Sequence, residues 1–427
     1  MITFLQGLGL FVLWLVSVVI VWLYLSGHFR KAERYRLIGP AASDPHFAET
    51  VSSMSDSLIT SGAVTQFWAN IDKIQTARLA LIEKAQHLIQ FETFLMTPGD
   101  RAEAFAAALQ RKATEGVRVQ LLADSYGAKS LPKSYWQRLR GAGVEVKFFN
   151  PFSGRSPLDY LRRNHRKLLI VDQQIAMIGG AGIADCWDGK DQSADNVPWY
   201  DFEMEWQGAV VALLVGFFWQ HWLSAGGQVN LDAHQPSLSS VPDPSQVFIA
   251  PGEDPSFGDS PIRSLFQLCI LSARSRLWIA SPYLLPEEQT CEMLGTARQN
   301  GVDVRILTMG PKSDKRYVYY VARERYGALL KRGIKIHEYQ PSMMHAKIVL
   351  VDDQWVSLGS ANLDPRSYFH NDELNLCTPS QELVQRVEHF FEEGFSRSQL
   401  IQHSDWQRRS PKERVMGRLW NCLYWQL

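Results

Sequence analysis

The stretch 164–183, NHRKLLIVDQQIAMIGGAGI, recurs as MHAKIVLVDDQWVSLGSANL at 344–363. Both copies hold a His, a Lys two residues on and an Asp seven residues on. These are His165, Lys167 and Asp172 in the first copy, and His345, Lys347 and Asp352 in the second. Each copy then runs through apolar residues to a small-residue turn, Gly179-Gly180-Ala181-Gly182 or Gly359-Ser360-Ala361-Asn362. A duplication of this kind restricts the chain to two related halves, each supplying half of one shared site.

The runs LLIV and IVLV are β-branched and apolar, which is strand-like. Residues two apart on a strand share a face, so His165 is expected beside Lys167 and His345 beside Lys347. The odd offset of each Asp turns it away from that face, which reads Asp172 and Asp352 as turn or supporting anchors. Around the motifs the halves run in parallel. The first half has helical patterns at 77–85, 102–114 and 135–140 between strand patterns at 88–95, 117–122 and 144–149. The second has helices at 262–273, 287–299 and 321–332 between strands at 277–280, 302–307 and 334–339. Alternation at this spacing predicts an α/β fold with a mixed, largely parallel sheet in each half, the two sheets packing so that the His strands meet about a pseudo-twofold axis.

Two His-Lys pairs suit a phosphodiester. Lysines can hold the non-bridging oxygens while one imidazole attacks phosphorus and the other protonates the leaving oxygen. A metal centre fits poorly, because a lysine beside each His repels a cation and neither copy clusters His with Cys. An attacking imidazole also needs its second nitrogen protonated and held, normally by a carboxylate. Asp201 and Glu373, each leading into a strand-like segment, fit that part, with Glu203 and Glu205 competing in the first half. At the turn, Ser360 and Asn362 can contact phosphate oxygens, whereas Gly180 and Gly182 offer only backbone and leave that side open.

The pattern HxKxxxxD with a GSxN-like turn, present twice, resembles the phospholipase D superfamily. Trp199-Tyr200-Asp201 and Asn371-Asp372-Glu373-Leu374-Asn375 look most like bacterial cardiolipin synthases. The resemblance implies two tandem phospholipase D-like α/β sandwich domains, at 65–227 and 247–427, with a linker at 228–246. It implies a catalytic set of His165, Lys167, Asp172, His345, Lys347 and Asp352. His165 matches the nucleophile that becomes a phosphohistidine, and His345 the general acid and base. Asp201 and Glu373 are assigned to orient the imidazoles of their own halves. The activity implied is condensation of two phosphatidylglycerol molecules to cardiolipin and glycerol, with no cofactor and no metal. A lipid hydrolase or a nucleic-acid phosphodiesterase of the same superfamily would use the same residues.

Charge argues against the last of these, since Lys+Arg and Asp+Glu are equal at 44 each. Five scattered cysteines without a CxxC suit free thiols in a reducing compartment. Residues 2–25 are almost wholly apolar, long enough for a membrane-spanning helix, and are followed by a basic run at 28–36. The expectation is a single-pass segment at 1–27 in the inner membrane, a juxtamembrane tether at 28–64, and catalytic domains on the cytoplasmic side, working on anionic phospholipids without nucleic acid. Arg155, Arg162 and Arg163 precede the first motif and could meet a headgroup or remain solvated. Aromatics crowd after it, from Trp187 to Trp222, mostly as core, with several near the cleft able to form a wall for acyl or glycerol groups. At the C-terminus a basic amphipathic helix suits either a membrane surface or the protein's own core.

Overall fold

The computed structural model describes residues 2–26, 38–155, 159–190, 196–231, 241–252 and 260–427. The basic run at 28–36 and the middle of the expected linker, 232–240, lie outside the described residues.

In the first half, strands β1 (Leu58–Trp68), β2 (Leu88–Thr93), β3 (Arg118–Asp124) and β4 (Glu145–Phe149) are followed by the two-residue β5 (Arg163–Asn164). After it come β6 (Leu168–Val171), β7 (Ile175–Gly179) and β8 (Glu203–Gln207). The second half holds β9 (Ser245–Gly252), β10 (Arg276–Ala280), β11 (Asp303–Met309), β12 (Lys335–Tyr339), β13 (Ile348–Val351), β14 (Trp355–Gly359), β15 (Asn371–Thr378) and β16 (Ser398–Leu400). Helices α1 (Ile2–Leu25), α2 (Phe47–Met54), α3 (Ile71–Lys84), α4 (Asp100–Thr114), α5 (Lys133–Gly141) and α6 (Ala209–Ser224) belong to the first half. The second has α7 (Pro261–Ser272), α8 (Glu288–Gln299), α9 (Arg316–Leu330), α10 (Pro365–Phe369), α11 (Gln381–Ser396), α12 (His403–Gln407) and α13 (Pro411–Asn421).

Within each half the βαβ strands run parallel, β2-β3-β4 and β10-β11-β12, and the motif hairpins β6-β7 and β13-β14 add antiparallel strands. Both faces of the motif strands are covered, which is why their sequences are continuously apolar. Leu168 and Ile170 face a central core shared with Ile348 and Leu350 of the other half. Leu169 and Val171 face α4, and Val349 and Val351 face α7 and α8. The central core is completed by Phe218 and Trp222 of α6 and Phe390 and Phe391 of α11. This is the mixed α/β architecture expected from the alternation of elements.

The halves are also joined edge to edge, which the expected pair of separate sheets did not include. Residues 58–62 of β1 pair with β9 and residues 63–68 pair with β8, so one strand stitches both halves into a single 16-stranded sheet. The stretch 42–64 is therefore not a loose tether. Phe47 and Val51 of α2 are buried against Trp355 and its neighbours, and Gly62 sits where any Cβ would strike Val210 and the Gln207 carbonyl. Its part Thr60-Ser61-Gly62-Ala63 lies in β1, between β9 and β8 in the sheet.

Segment 2–25 is helical as expected, with Leu10, Leu13 and Trp14 among its exposed side chains. Among the described residues no helix is long and apolar enough to cross a membrane. The C-terminal α13 packs on α9, with Gly417 against the Tyr320 carbonyl and Arg418 and Arg409 both reaching Glu324. Its outer face leaves Val415 and Leu419 exposed.

Candidate active site

Neither motif His lies within a regular strand. β6 begins at Leu168 and β13 at Ile348, so each His-Lys pair occupies the residues just before it. The backbone there is fixed by the opposite half. His165 N donates to the Asp372 carbonyl at 2.9 Å, and His345 N donates to the Tyr200 carbonyl at 2.7 Å. Asp372 and Tyr200 are the residues immediately ahead of Glu373 and Asp201, so the side chains cross in the same way. Imidazole Nδ1 of His165 lies 2.9 Å from Glu373 Oε2, and Nδ1 of His345 lies 2.9 Å from Asp201 Oδ2. The expectation that each acid serves its own half is thus corrected. Each carboxylate orients the imidazole of the other half, leaving Nε2 as the nitrogen available for chemistry.

The lysines fill the space between. Lys167 Nζ donates to the His165 carbonyl at 2.6 Å, and Lys347 Nζ donates to the His345 carbonyl and lies 3.1 Å from both ring nitrogens of His345. Burial pulls the Lys167 ammonium down to about 7, helped by the repulsion of Lys347, and pulls Lys347 to about 8 against the attraction of Asp201 and Glu373. Burial likewise lowers His165 to about 4 and His345 to about 3, against the pull of their carboxylates. For the acids burial works upward, but the imidazoles and lysines hold Asp201 and Glu373 below the usual carboxylate range. Near neutral pH the site therefore keeps two neutral imidazoles on ionised carboxylates with partly charged lysines between them. An anion arriving there raises all four basic groups.

Asp172 and Asp352 do not join this centre. Each ends a motif strand with positive φ, 51° and 49°, in the hairpin turn. Asp172 accepts from the backbone N–H groups of Gln86, His87 and Leu88, and Asp352 from those of Arg274, Ser275 and Arg276. Their place in the implied catalytic set is corrected in favour of the anchoring reading. They pin the starts of β2 and β10 against the hairpins.

The turns differ for steric reasons. A Cβ on Gly180 would stand 2.0 Å from Asp201 Oδ1, and one on Gly182 would meet the Leu95 carbonyl and the Trp187 ring at about 3 Å. The first turn is filled rather than open, contrary to expectation. In the second, Ser360 Oγ accepts from Leu374 N at 2.9 Å and does not project as a free phosphate ligand. Asn362 is 3% exposed and its Oδ1 has no hydrogen-bond partner among the described residues.

Several residues of the site were given no role at the imidazoles or carboxylates from the sequence. Trp187 Nε1 donates to Asp201 at 3.0 Å, while Ser367 Oγ and Asn371 Nδ2 donate to Glu373 at 2.9 and 3.1 Å. Trp187 and Trp199 also flank the His345 ring, with centroids 5.3 and 5.7 Å away. His221, buried on α6, lies between Glu92 and Asp372, with Nε2 3.0 Å from the latter. Burial works to lower this imidazole, yet the two carboxylates raise it above the ordinary value. The available signal was the polar run Asn371-Asp372-Glu373 opening a strand that is buried along its whole length. Arg162 and Arg163 prove to be structural, paired with Asp372 and Asp124, whereas Arg155 is exposed. Among the described residues no three His, Cys, Asp or Glu side chains are grouped as a metal ion would need.

The class so defined is a phospholipase D-like fold, in which a duplicated His-Lys half-site closes on one phosphoryl-transfer centre. The family described as cardiolipin synthase, phospholipase D-like domain, matches residues 79–186 and 268–394. A cardiolipin synthase 1 of Bacillus anthracis is 31% identical over 379 residues, covering 87% of this chain and 74% of that protein. Cardiolipin synthase A of Pseudomonas putida strain GB-1 is 34% identical over 335 residues, 77% of this chain and 68% of that protein. Among solved structures, the phosphatidylserine synthase of Haemophilus influenzae Rd KW20 shares the fold, with a TM-score of 0.69 at 16% identity over 89% of this chain and 100% of that one. The chain belongs to the cardiolipin synthase family of the phospholipase D superfamily. It is a phospholipid phosphatidyltransferase of that superfamily.

Proposed function

We propose that the chain condenses two phosphatidylglycerol molecules into cardiolipin and glycerol through a covalent intermediate on His165. His165 Nε2 attacks the first lipid's phosphorus as the bond to its glycerol headgroup breaks, and His345 gives a proton to the departing oxygen. The hydroxyl of the second lipid then returns a proton to His345 and bonds to phosphorus, releasing His165. Lys167 and Lys347 hold the non-bridging oxygens, and the diester's charge raises His345 so that it can act as an acid. The observation that carries the reading is the crossed pair His165–Glu373 and His345–Asp201, buried with two lysines between them.

The same reading includes a membrane anchor. Helix α1 exposes apolar side chains on the described part of its surface, and a contiguous apolar surface of that kind belongs in a lipid or protein environment. Anchoring through α1 at the inner membrane, with the body on the cytoplasmic side, would hold both lipid substrates in the plane of the enzyme. The test is a product assay on the purified chain in phosphatidylglycerol vesicles. Cardiolipin with equimolar glycerol is the expected outcome. Phosphatidic acid as the sole lipid product replaces transfer with hydrolysis, and turnover of nucleic-acid diesters without lipid turnover overturns the reading.

A further inference from the structure

A cavity of about 330 Å³ opens onto His165 and Asn362, and three cations also line it, Arg163, Lys315 and Arg366. Arg163 pairs with Asp124, whereas neither Lys315 nor Arg366 forms an ion pair among the described residues. Arg366 donates only to neutral acceptors, the carbonyls of Gln426 and Leu161 at 3.3 and 3.0 Å and Asn371 Oδ1 at 3.4 Å. Lys315 Nζ lies over the Tyr283 ring, 5.0 Å from its centroid. The carboxylates nearby are engaged otherwise. Asp314 accepts from the Tyr283 hydroxyl, and Asp364 accepts from Ser367 N. Burial pushes the Asp364 carboxyl up to about 7, which weakens its ability to neutralise Arg366.

The reacting phosphate already has Lys167 and Lys347. Two further cations without ion-pair partners among the described residues, in the cavity onto which His165 opens, are more positive charge than one diester needs. We propose that Lys315 and Arg366 form a second anion subsite that takes the phosphodiester of the acceptor lipid while its free hydroxyl reaches the phosphorus on His165. This inference rests on the phosphatidyl-transfer reading above and names how the acceptor is chosen. Selectivity for a phosphatidyl alcohol over a neutral alcohol then comes from charge outside the chemical centre.

The experiment uses the full chain in vesicles of phosphatidylglycerol with labelled glycerol, so that cardiolipin formation competes with neutral headgroup exchange. Loss of one charge-assisted contact predicts that Lys315→Ala lowers the cardiolipin-to-exchange ratio about tenfold, mainly by raising KM for the acceptor. Lys315→Glu lowers it further and Lys315→Arg restores it. Glycerophosphoglycerol, the same diester without acyl chains, should inhibit cardiolipin formation less in Lys315→Ala than in the parent. Equal loss of both products in Lys315→Ala, or an unchanged ratio, overturns the subsite while leaving the transfer reading intact. A parent enzyme that exchanges glycerol but makes no cardiolipin overturns both.

Discussion

The two half-sites carry the same His-Lys pair but support it by different means. At His165 the orienting Glu373 is held by Ser367 and Asn371, and the imidazole opens onto the cavity. At His345 the orienting Asp201 is held by the Trp187 indole, and Trp187 and Trp199 close around the ring. The same division continues in the turns. The buried Arg78–Glu203 ion pair braces the first, with Arg78 also on the Ala181 carbonyl, and the Asn375 amide braces the second. Duplication has preserved the reacting groups and let their supports diverge. The half facing the cavity suits contact with an arriving substrate, and the half walled by indoles suits proton transfer shielded from water.

Removing either imidazole is the most severe way to break the comparison. His165→Ala and His345→Ala should each lower turnover by about 10³-fold or more, since neither half can both attack and protonate. The two variants should nevertheless differ in one respect. Given a phosphatidyl ester with an aryloxide leaving group, His345→Ala should accumulate an acid-labile phosphatidyl adduct on residue 165, because no acid is needed for departure and no base remains for the acceptor. His165→Ala should give none. Mass spectrometry of the trapped protein decides it, and an adduct on residue 345 would reverse the two roles.

The crossed carboxylates come next. Glu373→Gln and Asp201→Asn should each reduce turnover by about 10²–10⁴-fold by releasing the imidazole and its tautomer. Spectroscopy separates the crossing from a same-half arrangement. In imidazole 15N spectra, Glu373→Gln should perturb His165 and Asp201→Asn should perturb His345, each more than the other histidine. The opposite pattern would restore the same-half assignment.

That crossing marks the limit of what the sequence contained. The repeat identified His165, Lys167, His345 and Lys347 because identical spacing in two places is improbable for core residues, and the structure brings all four together. The same repeat could not say which acid serves which half. Under a pseudo-twofold arrangement Asp201 and Glu373 can be exchanged without changing any local pattern. Strand β1 was missed for a different reason, since its residues, LITSGAVTQFW, show no period-two alternation and its partners lie far along the chain. Ser367, Asn371 and Trp187 act on carboxylates rather than on substrate, and no spacing rule marks such residues. The odd offset of Asp172 and Asp352, by contrast, was enough to place them in turns.

Exchanging turn residues sharpens the comparison at a smaller scale. Gly180→Ser should displace Asp201 and cost activity about tenfold or more, because the new Cβ falls on the carboxylate. Ser360→Gly leaves Leu374 N without its hydroxyl acceptor and Glu373 without one donor, and should lower stability by about 1 kcal/mol with a smaller loss of activity than Gly180→Ser. Equal effects of the two changes on activity would mean that the turns do not differ in kind. Asp172→Asn and Asp352→Asn should act on stability, by about 1–3 kcal/mol in denaturant titrations, with the activity of the folded fraction retained.

The smallest difference concerns protons. His165 is held at about 4 and His345 at about 3 in the folded chain, against about 6.5 in the unfolded chain. Below pH 6.5 the unfolded state therefore binds more protons than the folded one, and acidification favours unfolding. The contribution of the two imidazoles is intact above pH 6.5, declines as pH falls, and is exhausted near pH 4 for His165 and pH 3 for His345. Other carboxylates titrate in the same range, so the informative quantity is the difference between the parent and each His variant. In His165→Ala the imidazole's proton uptake is gone, and Glu373, buried without its partner, is pushed toward the neutral form, which acid favours. Calorimetric Tm should thus fall less between pH 6.5 and 4 in His165→Ala than in the parent. His345→Ala should show the same flattening extended to pH 3, and a parallel decline in all three proteins would place both imidazoles in wetter surroundings than the two carboxylates and indoles provide.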